Sequence, residues 1–301
     1  MNIAVPRASR SGAAPVAVSF EFFPPKTSEM EEALWQSIQR LAPLQPHFVS
    51  VTYGAGGTTR QRTHSTVARI LEETQLRPAA HLTCIGASRV EIDEVVQDYW
   101  DLGVRHIVAL RGDPPAGVGA KYEPHPDGYR TSADLVAGIK RIGDFEITVS
   151  AYPEKHPEAT SFDQDIDALK AKIDAGATRA ITQFFFENDC YLRYLDQVRA
   201  RGIDIPIVPG LVPVQNFKQT ASFATKTGAS VPAWLAARFE GLEDDPATRR
   251  LVAAAVAAEQ ALDLVDRGVR DFHFYTMNKA DLVFAICHLL GLRAQPAQKA
   301  A

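Results

Sequence analysis

In the stretch VSFEFFPPKTSEM, residues 18–30, one carboxylate, Glu21, stands among Val18, Phe20, Phe22 and Phe23. An acid at the end of an apolar strand is costly to bury unless it is paired or used. Other apolar stretches end in the same way. Thr52 closes one, His81 and Thr83 sit on another, and HIVAL runs straight into Arg111 and Asp113. Tyr152, Gln183 and Tyr275 close three more. Taken singly, each has a structural alternative. Glu21 could pair with an arginine, His81 could be a satisfied core histidine, Asp113 could cap a turn, and Gln183 could bond a backbone edge. Thr52 and Tyr152 could be ordinary strand residues, and Phe184, Phe185 and Phe186 read more readily as core than as a stacking platform. Together they argue for one site, because chance rarely delivers so many polar groups to equivalent positions.

Several chemistries can be weighed against this set. A metal centre needs converging His or carboxylate ligands; His81, Glu21 and Asp113 could supply three, but no HxH or HExxH spacing supports them. A Schiff-base lyase needs a lysine at a strand end, and none of the apolar stretches carries one. No GxSxG nucleophile motif occurs. What remains is one acid, amide and hydroxyl groups, aromatics, and a basic set of Arg111, His156 and Lys172. That set suits a planar, phosphate-bearing cofactor with a proton donor beside it, and no metal is expected.

Such a site requires elements that bring the strand ends together. β-rich apolar runs lie at 17–22, 47–52, 79–84, 106–110, 146–151, 179–184, 205–209 and 271–275. Helical periodicity fills 28–41, 60–73, 89–102, 132–141, 162–175, 189–201, 216–227 and 279–290, with an extra helical pair at 232–239 and 246–267 before the last strand. Eight β-then-α units predict an α/β fold, a (β/α)8 TIM barrel, whose chemistry sits at the C-terminal strand ends. A doubly wound sheet is the alternative, but FFPPKTSEM after the first strand lacks the glycine-rich phosphate turn. Ser28 with Glu31 reads as a capping box, and Gly176 and Gly202 as left-handed helix ends. Gly54, Gly56 and Gly57 shape a loop, and the Pro/Gly-dense segment 113–130 reads as a surface loop above the barrel.

The domain reading is a flexible 1–16, one catalytic domain over 17–292, and a flexible tail at 293–301. A net charge of −4 leaves no basic field for nucleic acid. No run approaches a membrane span, the N-terminus lacks a signal-peptide core, and three scattered cysteines suit a reducing compartment. A soluble, cytoplasmic protein is expected.

The motifs FEFFPPKT, VSVTYGAGG, HLTC, HIVALRGDPP, SAYPEKHPEA, KIDAGATRAITQFFFEN, PGLVPVQNFKQ and DFHFYTMNKA, in this order, resemble methylenetetrahydrofolate reductases of the bacterial single-domain type. The similarity runs from about residue 20 to 292. It implies an FAD-containing barrel that reduces 5,10-methylenetetrahydrofolate to 5-methyltetrahydrofolate with NADH or NADPH, in ping-pong fashion, for methionine synthesis. It implies Glu21 as the general acid that protonates the departing folate nitrogen, with Phe20, Phe22 and Phe23 as an apolar collar disfavouring its charged form. It implies Asp113 beside flavin and pterin, where a negative charge tunes the flavin and steadies a cationic iminium. Thr52, His81, Arg111, Gly112, Ser132, Tyr152, His156, Asp165 and Lys172 match flavin contacts. Gln183, Gln219, Phe223, Tyr275 and Lys279 match the substrate side. Ala168 and Ala171 replace polar or basic residues near the adenine end, and an insertion at 117–128 lies in the same region. Relatives form homo-oligomers, so one is expected here. Eukaryotic members add a C-terminal domain that binds S-adenosylmethionine; this chain ends after the barrel, and that feedback is not expected.

Overall fold

The computed structural model describes residues 15–53, 60–114 and 121–295. The glycines at 54, 56 and 57, most of the expected flexible N-terminus, the start of the 117–128 insertion and residues 296–301 of the expected tail lie outside these residues. Nine strands form one parallel sheet: β1 (Ala17–Phe22), β2 (Val49–Val51), β3 (Pro78–Thr83), β4 (His106–Leu110), β5 (Glu146–Ala151), β6 (Arg179–Thr182), β7 (Ile207–Val208), β8 (Gly210–Leu211) and β9 (Asp271–Tyr275). Each of β1 to β7 pairs with the next in sequence, except that β7 and β8 are consecutive pieces of one staff. β7 pairs with β6, β8 pairs with β9, and β9 pairs with β1. Only Pro209 separates the two pieces. It has no N–H for the ladder, but its carbonyl accepts from His273 N at 3.0 Å. The expected eight-position barrel therefore closes, with its seventh staff broken at the proline.

The helices are α1 (Ser28–Leu41), α2 (Arg60–Glu73), α3 (Arg89–Leu102), α4 (Ser132–Ile142), α5 (Phe162–Asp174), α6 (Asn188–Ala200), α7 (Phe217–Thr227), α8 (Ala233–Phe239), α9 (Pro246–Asp266) and α10 (Ala280–Leu289). The expected extra pair is α8 and α9. The cap of α1 differs from the sequence reading. Thr27 keeps extended backbone and accepts from Met30 N at 3.3 Å, so Ser28 is already the first helical residue. Capping boxes do form at Ser88 with Glu91 and at Thr131 with Asp134. Gly176 and Gly202 take the expected left-handed conformation.

The period-two rule divides every strand between two cores. Phe20, Phe22, Ala80, Leu82, Ile107, Ala109, Ile147, Val149, Phe272 and Phe274 face outward into a core shared with the helices. Phe48, Ala79, Val108, Ile181 and Val208 form a smaller cluster inside the barrel. Beside that cluster, the opening residues of three strands meet. Arg179, which opens β6, holds Asp271, which opens β9, at 2.6 Å. Its Nε lies 3.6 Å from Glu146, which opens β5, and its Nη2 lies 3.3 Å from His47 Nδ1.

Candidate active site

β1 ends at Phe22 because Pro24 and Pro25 cannot continue the ladder. Alternation turns Glu21 into the barrel, where it is 8 % exposed. Its backbone carbonyl accepts from Thr276 Oγ1 at 2.6 Å and from Thr276 N at 3.3 Å, which fixes the strand end. Its carboxyl Oε2 faces two imidazole nitrogens, His81 Nε2 at 3.4 Å and His273 Nε2 at 3.6 Å. Both nitrogens are buried without a hydrogen-bond partner. Burial depresses the His81 pKa, opposed by Glu21 and reinforced by His273, so the ring is biased toward its neutral form.

This environment corrects the expected apolar collar. Phe20 and Phe22 share β1 with Glu21 but point to its opposite face, into the outer core. Phe23, past the strand end, is 37 % exposed. What Glu21 meets inside is imidazole. His273 was not singled out in the sequence, yet DFHFY carried the signal: Phe272 and Phe274 flank His273 at the same spacing as Phe20 and Phe22 flank Glu21.

Gln183 and Tyr275 meet around β6. Tyr275 hydroxyl donates to Thr182 O at 2.7 Å, and Gly210 N donates to Thr182 Oγ1 at 2.9 Å. The Gln183 side-chain oxygen accepts from Phe184 N at 3.0 Å, so the backbone-edge alternative is realised for that oxygen. Phe223 is half exposed on α7 and stacks on Phe184, with ring centres 5.7 Å apart; Phe184 in turn meets the edge of Tyr275. Gln219 and Lys279 are exposed, Gln219 in the first turn of α7 and Lys279 capping α10.

A second group gathers past β4 and β5. Gly112 takes a left-handed φ of 87°, which turns the chain between Arg111 and Asp113. Burial raises the Asp113 pKa, partly offset by Arg111. Arg111 forks onto Glu158 with bonds of 2.5 and 2.8 Å, a partner the sequence reading missed. Tyr152 and His156 meet edge to face at 4.7 Å. Burial and Arg111 lower the His156 pKa, and its Nδ1 accepts from Glu158 N. Asp165 and Lys172 are both buried on α5. Lys172 Nζ donates to Ser150 O at 2.7 Å, and Asp165 accepts from His156 N. Burial pushes the Lys172 pKa down to about 8 against the pull of Asp165. Thr52 is tied by its backbone at the end of β2, and Ser132 is the first residue of α4. Ala168 and Ala171 are exposed on α5. Among the described residues, no three His, Cys, Asp or Glu side chains gather in a metal-binding group, and Asp113 does not join His81 and Glu21 in one.

A parallel α/β barrel that draws an acid, imidazoles, an amide and aromatics from different strands onto one end has the construction of a barrel enzyme. The sequence matches a protein-family model described as methylenetetrahydrofolate reductase over residues 7–291. The chain belongs to that family, and so is an oxidoreductase of folate one-carbon metabolism. It is 56 % identical over 283 residues to the 5,10-methylenetetrahydrofolate reductase of Pectobacterium carotovorum, covering 94 % of this chain and 93 % of that one. It is 53 % identical over 278 residues to the enzyme of the same name from Escherichia coli K12, covering 92 % of each. Among solved structures, an uncharacterised Clostridium thermocellum protein described as binding two copies of 5-methyl-5,6,7,8-tetrahydrofolic acid shares the fold. Its TM-score is 0.60 at 16 % identity, over 92 % of this chain and 94 % of that one.

Proposed function

We propose that this chain reduces 5,10-methylenetetrahydrofolate to 5-methyltetrahydrofolate, with FAD as resident cofactor and NADH or NADPH as reductant, for methionine synthesis. Lys172 supports the presence of a phosphate-bearing group. An ammonium buried at 8 % exposure, beside one aspartate and one carbonyl, is costly for the protein alone and suited to an incoming anion. The residues that would hold FAD are Thr52, His81, Arg111, Gly112, Asp113, Ser132, Tyr152, His156, Asp165 and Lys172. When bound, FAD would supply two-electron hydride transfer between the nicotinamide and the folate methylene carbon.

The remaining steps belong to the chain. Glu21 protonates the folate nitrogen that leaves as the imidazolidine ring opens, and Asp113 steadies the resulting cation. Gln183 offers its amide nitrogen to nicotinamide and folate in turn, which makes the kinetics ping-pong. Phe223 stacks on the substrate from the mouth, with Gln219, Tyr275 and Lys279 completing the folate side. With Ala168 and Ala171 at the adenine end, FAD is held less tightly than in relatives with a basic residue there, unless the 117–128 insertion compensates; the FAD dissociation constant measures this. A cytoplasmic homo-oligomer is the assembly we expect, and sedimentation reads its size.

The observation that carries the reading is Glu21, an acid buried at a barrel strand end within 3.6 Å of two imidazoles. The purified protein should be yellow and bleach anaerobically with NADH or NADPH. Glu21→Gln should keep that bleaching and lose reoxidation by methylenetetrahydrofolate by at least about a hundredfold, the scale of a positioned general acid. Wild-type folate turnover in this variant would sink the acid assignment.

A further inference from the structure

β9 makes its last backbone pair with β1 at Glu21 and Tyr275, and the chain then turns away. Lys279 N donates to Thr276 O at 3.0 Å, which closes a tight turn. Both central residues stand at positive φ, Met277 at 53° and Asn278 at 55°. Asparagine tolerates that conformation, whereas methionine adopts it only where the surroundings impose it. Among the described residues, the other non-glycine residues at positive φ are Gln45 and Lys155, so only here do two stand side by side. The surroundings do impose it. Asn278 N donates to Thr276 Oγ1 at 3.1 Å, and that hydroxyl donates to Glu21 O at 2.6 Å. From α1, the buried Ser37 hydroxyl donates to Asn278 O at 2.8 Å.

So held, Asn278 reaches back to β1 with its side chain. Phe23 N donates to its Oδ1 at 2.8 Å, and its Nδ2 donates to Phe23 O at 2.9 Å. A peptide N–H only donates and a peptide carbonyl only accepts, so the amide has one possible orientation. A side-chain amide carries the same donor and acceptor as a peptide group. Here it takes both ladder groups of Phe23 after the backbone of β9 has left. Pro24 and Pro25 follow and have no N–H, so the ladder cannot run further. Glu21 lies two residues before Phe23. Its carbonyl is gripped by Thr276 and its strand end by Asn278. Its carboxyl faces His81 and His273 only while β1 keeps its alternation.

We propose that Asn278 is a positioning residue for the folate half of the reaction: its amide extends the β1–β9 pairing by one residue and so fixes where the Glu21 carboxyl meets the substrate. The inference rests on the reading of Glu21 as the general acid. The strained turn is the means, because the left-handed backbone at Met277 and Asn278 brings the amide onto Phe23.

The test separates the two half-reactions in the flavin-loaded enzyme. Asn278→Gly suits a φ of 55° without strain and removes only the amide. Oxidation of the reduced flavin by methylenetetrahydrofolate should slow about ten- to a hundredfold, the scale of a small misplacement of a reacting group. Reduction of the flavin by the nicotinamide should keep its wild-type rate. Thr276→Val, which removes the hydroxyl link to Glu21 O, should slow the same half-reaction. Added to Glu21→Gln, Asn278→Gly should slow folate reduction by less than about twofold more, because a residue that acts through another loses its effect with it. Hydrogen exchange in the flavin-free protein is a readout independent of turnover. The Phe23 amide should exchange about tenfold faster in Asn278→Gly, the scale of one lost hydrogen bond. Wild-type folate kinetics in folded Asn278→Gly overturn the proposal, and so does an undiminished loss when Asn278→Gly is added to Glu21→Gln. Wild-type folate kinetics in Glu21→Gln alone would overturn the acid reading, and with it the role assigned through Glu21, while Phe23 exchange would still show whether the amide holds the strand end.

Discussion

Among the residues expected to hold the cofactor, Lys172 departs far from ordinary lysine behaviour. Its pKa falls to about 8, with burial as the leading cause and Asp165 opposing it. Above about pH 8 the flavin-free protein loses that charge, so FAD affinity should weaken as pH rises from 7 to 9. Lys172→Met should bind FAD about ten- to a hundredfold more weakly, the scale of a charge-assisted hydrogen bond, and should show a flatter pH dependence; fluorescence titration measures both. The same depression has a stability consequence. A lysine bound to fewer protons when folded than when unfolded makes the flavin-free fold more stable as pH rises between about 8 and about 10.4. Lys172 was legible in the sequence as one member of a basic set, but Asp165 only through the resemblance, since a lysine and an aspartate seven residues apart look like a solvated helix face. Glu158 was not legible at all. Its fork onto Arg111 depends on how the loop after β5 folds back beside the end of β4, and nothing in SAYPEKHPE states that distance.

At the scale of elements, the strand positions followed from apolar runs, and the ends drifted where side chains compete with the ladder. β6 stops at Thr182 because Phe184 N turns to the side chain of Gln183. The broken seventh staff has an energetic signature. A Cβ at Gly210 would lie 2.3 Å from Thr182 O and 2.6 Å from the Tyr275 ring, and a backbone oxygen cannot move aside cheaply. Gly210→Ala should cost about 1–3 kcal/mol in urea denaturation and should loosen Tyr275 from Thr182. The cap of α3 is simpler. Ser88 accepts from Glu91 N, and Glu91 returns a bond to Ser88 N, so Ser88→Ala should cost about 1 kcal/mol by the same measurement.

For the whole molecule, barrel closure brings together residues that are far apart in the chain. Arg179, 9 % exposed at its side chain, ties the opening ends of β5, β6 and β9 through Glu146 and Asp271. Arg179→Met should lower unfolding stability by about 3 kcal/mol, because it leaves carboxylates facing one another inside the ring of strands. The loss should change little between low and high salt, since a buried pair is weakly screened. A loss that vanished at high salt would place the pair on the solvated surface instead.

The sequence alone determined the alternation of strand and helix, hence the barrel, and which end of it the polar residues would share. These follow from local periodicity, which every short window of chain carries. Only the tertiary structure decided what each of those residues touches. The split at Pro209 comes from which neighbour each half-strand meets, and the replacement of an aromatic collar by two imidazoles comes from which face of β1 turns inward. Both depend on closing a ring through β1 and β9, about 250 residues apart, and such a contact leaves no mark in local spacing.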